Sequence, residues 1–138
     1  MPTTFRDGSS RDRPSNHGEL AAAISTAVVH LFSKHTGRGP TKARTTVDGE
    51  LVVVILRDSM TQGERSLVQG GKEADVLRLR RAFQDAMSRD LVAAIERLTE
   101  RNVQAFMSAN HTQPDAAAEI FLLDRAVGIG DGFERAGS

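Results

Sequence analysis

Few residues in this chain have the type and spacing that chemistry requires. The four histidines are His17, His30, His35 and His111. His30 and His35 stand five apart, which puts them on different faces of a helix, and no HExxH or comparable ligand spacing occurs. His111 and Asp115 share one loop, but two ligands do not make a metal site. There is no cysteine, so thiolate nucleophiles, thiolate zinc sites, iron–sulfur clusters and disulfides are all excluded. The GxSxG elbow of serine hydrolases is missing as well. Asp85 and Asp90 also stand five apart and cannot act as a carboxylate pair on one helix face. These residues argue against an enzyme, and they name no cofactor.

Two glycine runs imitate nucleotide-binding loops. "GGKE" at Gly70–Glu73 resembles the end of a P-loop, but Ser66 stands where the motif needs Gly, and Glu73 where it needs Ser or Thr. "GIGDG" at Gly128–Gly132 has only six residues after it, with no room for the helix N-terminus that would hold a pyrophosphate.

Basic residues are the remaining candidates. "KHTGRGPTKAR" carries Lys34, Arg38, Lys42 and Arg44 around a glycine-rich turn, a kind of turn that can bind anions. The turn follows a helix C-terminus, however, where the dipole is negative and basic side chains are expected anyway. In "RLRRAFQDAMSRD", Arg78, Arg81, Asp85 and Arg89 form one helical stripe led by Asp75, so its charges pair along the helix. Arg38, Lys42, Arg44, Arg78 and Arg81 are therefore the candidate contacts for an anion or a partner. A nucleic-acid surface built on Arg78, Arg80, Arg81 and Arg89 with the glycine-rich loop is the alternative. It is disfavoured because no aromatic residue interleaves with the stripe.

Composition sets the frame. The 138 residues suit one domain, with 26% charged and 39% hydrophobic side chains. Lys plus Arg and Asp plus Glu are both 18, so the chain lacks the positive field that draws proteins onto nucleic acid. Trp and Tyr are absent and Phe numbers six, leaving few platforms for stacking bases or sugars. No apolar run approaches the roughly 20 residues that span a bilayer. The N-terminal stretch has no apolar core of a secretory signal. The expected location is the cytoplasm.

The elements that position these residues follow from periodicity. Residues 1–16 read as a disordered polar tail, 17–125 as a single α+β domain, and 126–138 as a flexible Gly-rich tail. Leu20, Ile24, Ala27, Val28, Leu31 and Phe32 recur at helical steps between His17 and His35. Ser15 or Asn16 is placed to cap that helix, with Gly37 and Pro40 placed to stop it. "KARTTV", the turn signal "DG" and "ELVVVILR" predict a hairpin. Thr61-x-x-Glu64 is a capping box that opens a short helix. Val76, Leu79, Phe83, Met87, Leu91, Ile95 and Leu98 keep helical spacing from Lys72 to about Glu100, with a bend expected near Ser88 or a partner along the stripe. "NVQAFMSA" and "AAEIFLL", joined by the polar loop "NHTQPDA", predict a second strand pair.

The expected fold is α+β, in the order α-β-β-α-α-β-β. It has an antiparallel sheet of about four strands in two hairpin-like pairs, packed against two to three helices. Leu51, Val53 and Ile55 oppose Val52, Val54 and Leu56 across their strand, so both faces of the sheet require cover. With helices on one face, a homodimer supplies cover for the other by reusing one patch.

The motifs taken together resemble a known family. "GRGP" after an amphipathic helix, then a hairpin, "MTQGERSLV", the Arg/Phe/Gln stretch of the long helix and a terminal "IFLL" strand are similar to the MpsC-type domain. The likeness runs from about His17 to Asp124. Gly37, Gly39, Pro40, Thr61, Glu64 and Phe121 mark the matching structural positions. One departure is Glu100 before Arg101, where the family usually has Gly. The resemblance implies a small bacterial protein with no catalytic motif. It would accompany the membrane subunits of a cation-translocating, membrane-potential-generating system. The resulting expectation is a non-enzymatic accessory or regulatory homodimer, associated with a membrane cation or bicarbonate transport system.

Overall fold

Amphipathic spacing builds α1 over Ser15–Thr36, two residues earlier than the stripe predicts. The computed structural model describes residues 15–37 and 41–128, with side chains from His17 onward. The expected capping by Ser15 or Asn16, the candidates Arg38, Gly39 and Pro40, and most of both expected tails lie outside the described residues. Gly37 ends α1 as predicted. Its φ is +72°, a left-handed conformation that costs glycine no steric strain. Its N–H donates to the carbonyl of Ser33 at 2.9 Å.

The hairpin forms from β1, Lys42–Asp48, and β2, Leu51–Arg57. Asp48 pairs with Leu51, so the loop is Gly49–Glu50, with Gly49 at φ +60° as a tight hairpin turn needs. The Thr61 capping box opens α2, Gln62–Gln69. The long helix α3 runs unbroken over 27 residues, Glu73–Thr99, about 40 Å at 1.5 Å per residue. Glu100 caps its end in the left-handed region, φ 57° and ψ 37°. The chain thus keeps the backbone geometry of a C-terminal glycine without the glycine. Strands β3, Val103–His111, and β4, Ala116–Leu123, complete the order.

The sheet is antiparallel throughout, in the order β1-β2-β4-β3. Each hairpin places its second strand at the centre, and each follows a helix that packs on the same face. The chain is therefore two α-β-β units, related in the sheet by an approximate two-fold axis normal to it. Ile24, Val28 and Phe32 of α1 meet Met87, Leu91 and Ile95 of α3 above Val52, Val54, Leu56, Phe121 and Leu123. Full burial of each such side chain is worth about 1.5–3 kcal/mol. Phe106 stacks on Phe121 with centroids 4.9 Å apart. Beyond β4, the carbonyl of Ala126 accepts from Arg101 Nε at 3.0 Å and Val127 N–H donates to Gly49 at 3.0 Å. This ties the start of the expected C-terminal tail to the sheet.

Candidate functional site

The alternation of a β-strand sends odd and even residues to opposite faces, and here the two faces differ in kind. The inner face carries a chain of buried polar groups under α3. Glu119, at the middle of β4, is fully buried. One carboxylate oxygen accepts from Ser108 Oγ. The other accepts from Gln84 Nε2 at 2.8 Å. Gln84 also donates to Asn110 Oδ1 at 3.1 Å and accepts from Asn110 Nδ2 at 2.8 Å. Arg80 continues the chain, donating to Asn110 Oδ1 at 3.3 Å and to Ser59 Oγ at 2.5 Å. Its guanidinium lies 3.7 Å from Glu64, both side chains being buried.

Glu64 therefore has two roles. One of its oxygens accepts from Thr61 N–H at 2.7 Å, which closes the capping box. The other faces Arg80. Asp115, in the β3–β4 turn, accepts from Met60 N–H at 2.9 Å and Ser59 Oγ at 3.3 Å. The network ties α2, α3, β3, β4 and the loop after β2 into one unit. Burial pushes the Glu119 carboxyl up to about 7, against the hydrogen bonds from Ser108 and Gln84 and the charge of Arg80. Glu119 has no exposed surface, so the network offers no substrate a path to it.

Among the described residues no helix lies over the outer face. Its centre is apolar: Leu51, Val53 and Ile55 of β2 lie beside Leu122, Ile120 and Ala118 of β4, then Ala105, Met107 and Ala109 of β3. Leu51 is 37% exposed and Met107 50%. The ends of this face carry opposite charge. At one end Lys42 and Arg57 are direct cross-strand partners and Arg44 lies one step in. Asp58 sits 3.4 Å from Lys42. At the other end stand Asp48, Glu50 and Asp124, all exposed, with Arg125 3.6 Å from Asp124.

The candidate basic residues are thus separated. Lys42 and Arg44 belong to the outer face, whereas exposed Arg78 and Arg81 lie on α3, which packs on the inner side. Arg78 bonds to Asp75, as the charge pattern predicts. Arg80 of the same run is an interior residue rather than a surface contact. The motif positions Thr61, Glu64 and Phe121 turn out to be a helix cap, its buried partner and a core side chain. Residue patterns did not pick out Glu119, Gln84, Ser108 and Asn110 as a group. The available signal was a lone acid in the apolar strand "AAEIFLL".

Among the described residues no group of three or more His, Cys, Asp or Glu could hold a metal ion. No helix among them is long and apolar enough to cross a membrane. Among the described residues the sheet thus pairs an open apolar face with charged ends and a sealed polar interior. The chain belongs to the family described as Na+-translocating membrane potential-generating system (MpsC), whose model matches residues 16–125. No curated protein and no solved structure matches it.

Proposed function

We propose that this protein is a non-enzymatic accessory module, a cytoplasmic homodimer that accompanies the membrane-spanning subunits of a Na+-translocating system. The observation that carries the reading is the uncovered outer face. Leu51, Val53, Ile55, Met107, Ile120 and Leu122 form one contiguous apolar surface across three strands. Contiguous surfaces of this kind mark interaction sites. A second copy covers it with the same residues, as a two-fold interface does. The family description supports the association with ion translocation. In this reading the ion crosses through partner subunits, and the domain contributes contacts.

Light scattering on the purified chain at micromolar concentration is expected to return twice the mass of one chain. A clean monomer overturns the dimer. Isolation of the tagged protein from its own cells is expected to bring down a membrane-spanning transport subunit. Recovery of the domain with nucleic acid alone overturns the accessory role.

A further inference from the structure

We propose that two copies pack their outer sheet faces with strands antiparallel, about a two-fold axis lying across the strands. The basic end of each sheet then covers the acidic end of the other. This arrangement rests on the dimer reading and specifies its geometry. It follows from the charge distribution along the sheet. Lys42, Arg44 and Arg57 crowd one end of the outer face, with Asp58 the acid at that end. Asp48, Glu50 and Asp124 occupy the other, with Arg125 the base there. Each end therefore keeps an excess of one sign.

The two ends lie about 20 Å apart, the six steps from Lys42 to Asp48 of β1 at roughly 3.3 Å each. That is about two Debye lengths at physiological salt, so each end acts on what faces it locally.

A two-fold axis along the strands would place the basic end on the basic end and the acidic end on the acidic end. Like charges brought together at an interface cost several kcal/mol. The axis across the strands converts both repulsions into attractions. It also brings acidic groups to a pair of like charges on the sheet. Lys42 and Arg57 face each other directly across β1 and β2, and like charges at directly opposed positions destabilise a sheet. Within the chain Asp58 answers one of these charges, 3.4 Å from Lys42, and the second copy's Asp48 and Glu50 add further counter-charge. Between the ends, the apolar rows of the two sheets meet face to face at the usual spacing of about 10 Å. Each α1–α3 layer then stays on the outside. The dimer presents two equivalent helical surfaces, which face away from each other, to larger partners.

Reversing charge at one end and then at both ends tests the geometry. Dimer dissociation is measured by light scattering across a dilution series at low salt, with melting curves confirming that each variant folds. The variant carrying Arg44→Glu and Arg57→Glu is expected to dissociate about tenfold more readily than the parent. So is the variant carrying Asp48→Lys and Glu50→Lys. All four substitutions together restore the parent's dissociation constant, because both ends are complementary again. If single-end reversal leaves the dimer unchanged, the antiparallel arrangement is wrong. The same holds if the fourfold variant does not recover. Ile120→Glu separates the two readings. If it yields monomers while the charge variants do nothing, the outer face is the interface and only the orientation fails. If the parent is itself a monomer, both readings fail together.

Discussion

The inner and outer faces of the sheet are built from the same four strands, yet they solve opposite problems. The inner face is closed by α1 and α3 and contains the charged groups least expected in a core: Glu119, Arg80 and Glu64. Each of these is tied to neighbours by hydrogen bonds or a close ion pair. The outer face is open, and its centre holds the apolar residues least expected at a surface. Burial obliges a polar group to find partners, because an unpaired one costs far more than a paired one. Exposure imposes no such demand on a leucine. Polarity on the inner face is thus resolved within the chain. Apolarity on the outer face is left without a covering helix among the described residues.

That contrast predicts a graded set of mutational effects. The largest belongs to Arg80→Ala. It leaves Glu64 buried without its counter-charge and strips donors from Ser59 and Asn110. Loss of one partner of a buried ion pair costs about 3–5 kcal/mol, readable as a shift in urea midpoint at constant slope.

Next comes the pH dependence set by Glu119. Its folded carboxyl is raised to about 7, from 4.5 in the open chain. Between those values the folded state holds a proton that the unfolded state has released. The contribution is full below pH 4.5, declines as pH rises through the window, and is gone above about pH 7. Over the whole window it amounts to about 3 kcal/mol. Glu119→Gln is expected to flatten this part of the stability profile in pH-dependent denaturation.

A smaller effect tests the end of the helix that roofs the inner face. Glu100 sits at φ 57°, where a non-glycine residue is strained by about 1–2 kcal/mol. Glu100→Gly is expected to raise stability by about 1 kcal/mol, seen as a higher melting temperature. The smallest effect belongs to the outer face. Ile120→Ser is expected to change the stability of the dilute, dissociated chain by less than about 0.5 kcal/mol. Its effect on dimer dissociation is expected to be large. A strongly destabilised monomer would show that the outer face is part of the chain's own core.

Most of the fold was legible in residue order. The 3.6-residue stripes of α1 and α3, the Asp48–Gly49 turn signal and the Thr61–Glu64 box are local features, and local sterics and hydrogen bonding place them. The length of α3 calls for a bend near Ser88 or a partner along its stripe, and the helix is uninterrupted over Glu73–Thr99. The site was less legible. Glu64 read as a cap, and its second oxygen revealed its role only once α2 lay beside Arg80. Arg80 read as one more charge on a basic helix, because it stands in one run with Arg78 and Arg81, which are solvent-facing. A run of adjacent arginines points in several directions, and only a packed sheet decides which one is inside.

By itself the sequence determined that strand β2 is apolar on both sides and that the elements follow one another in the order α-β-β-α-α-β-β. Those properties depend on residues close in sequence. Only the tertiary structure decided which side of the sheet the helices take. It also decided that Glu119, 35 residues from Gln84, shares one hydrogen-bonded unit with it. The charges of β1 and β2 gather at the ends of an open face for the same reason. Antiparallel pairing brings Lys42 to Arg57 and Asp48 to Leu51, and register across strands has no counterpart in the spacing along them.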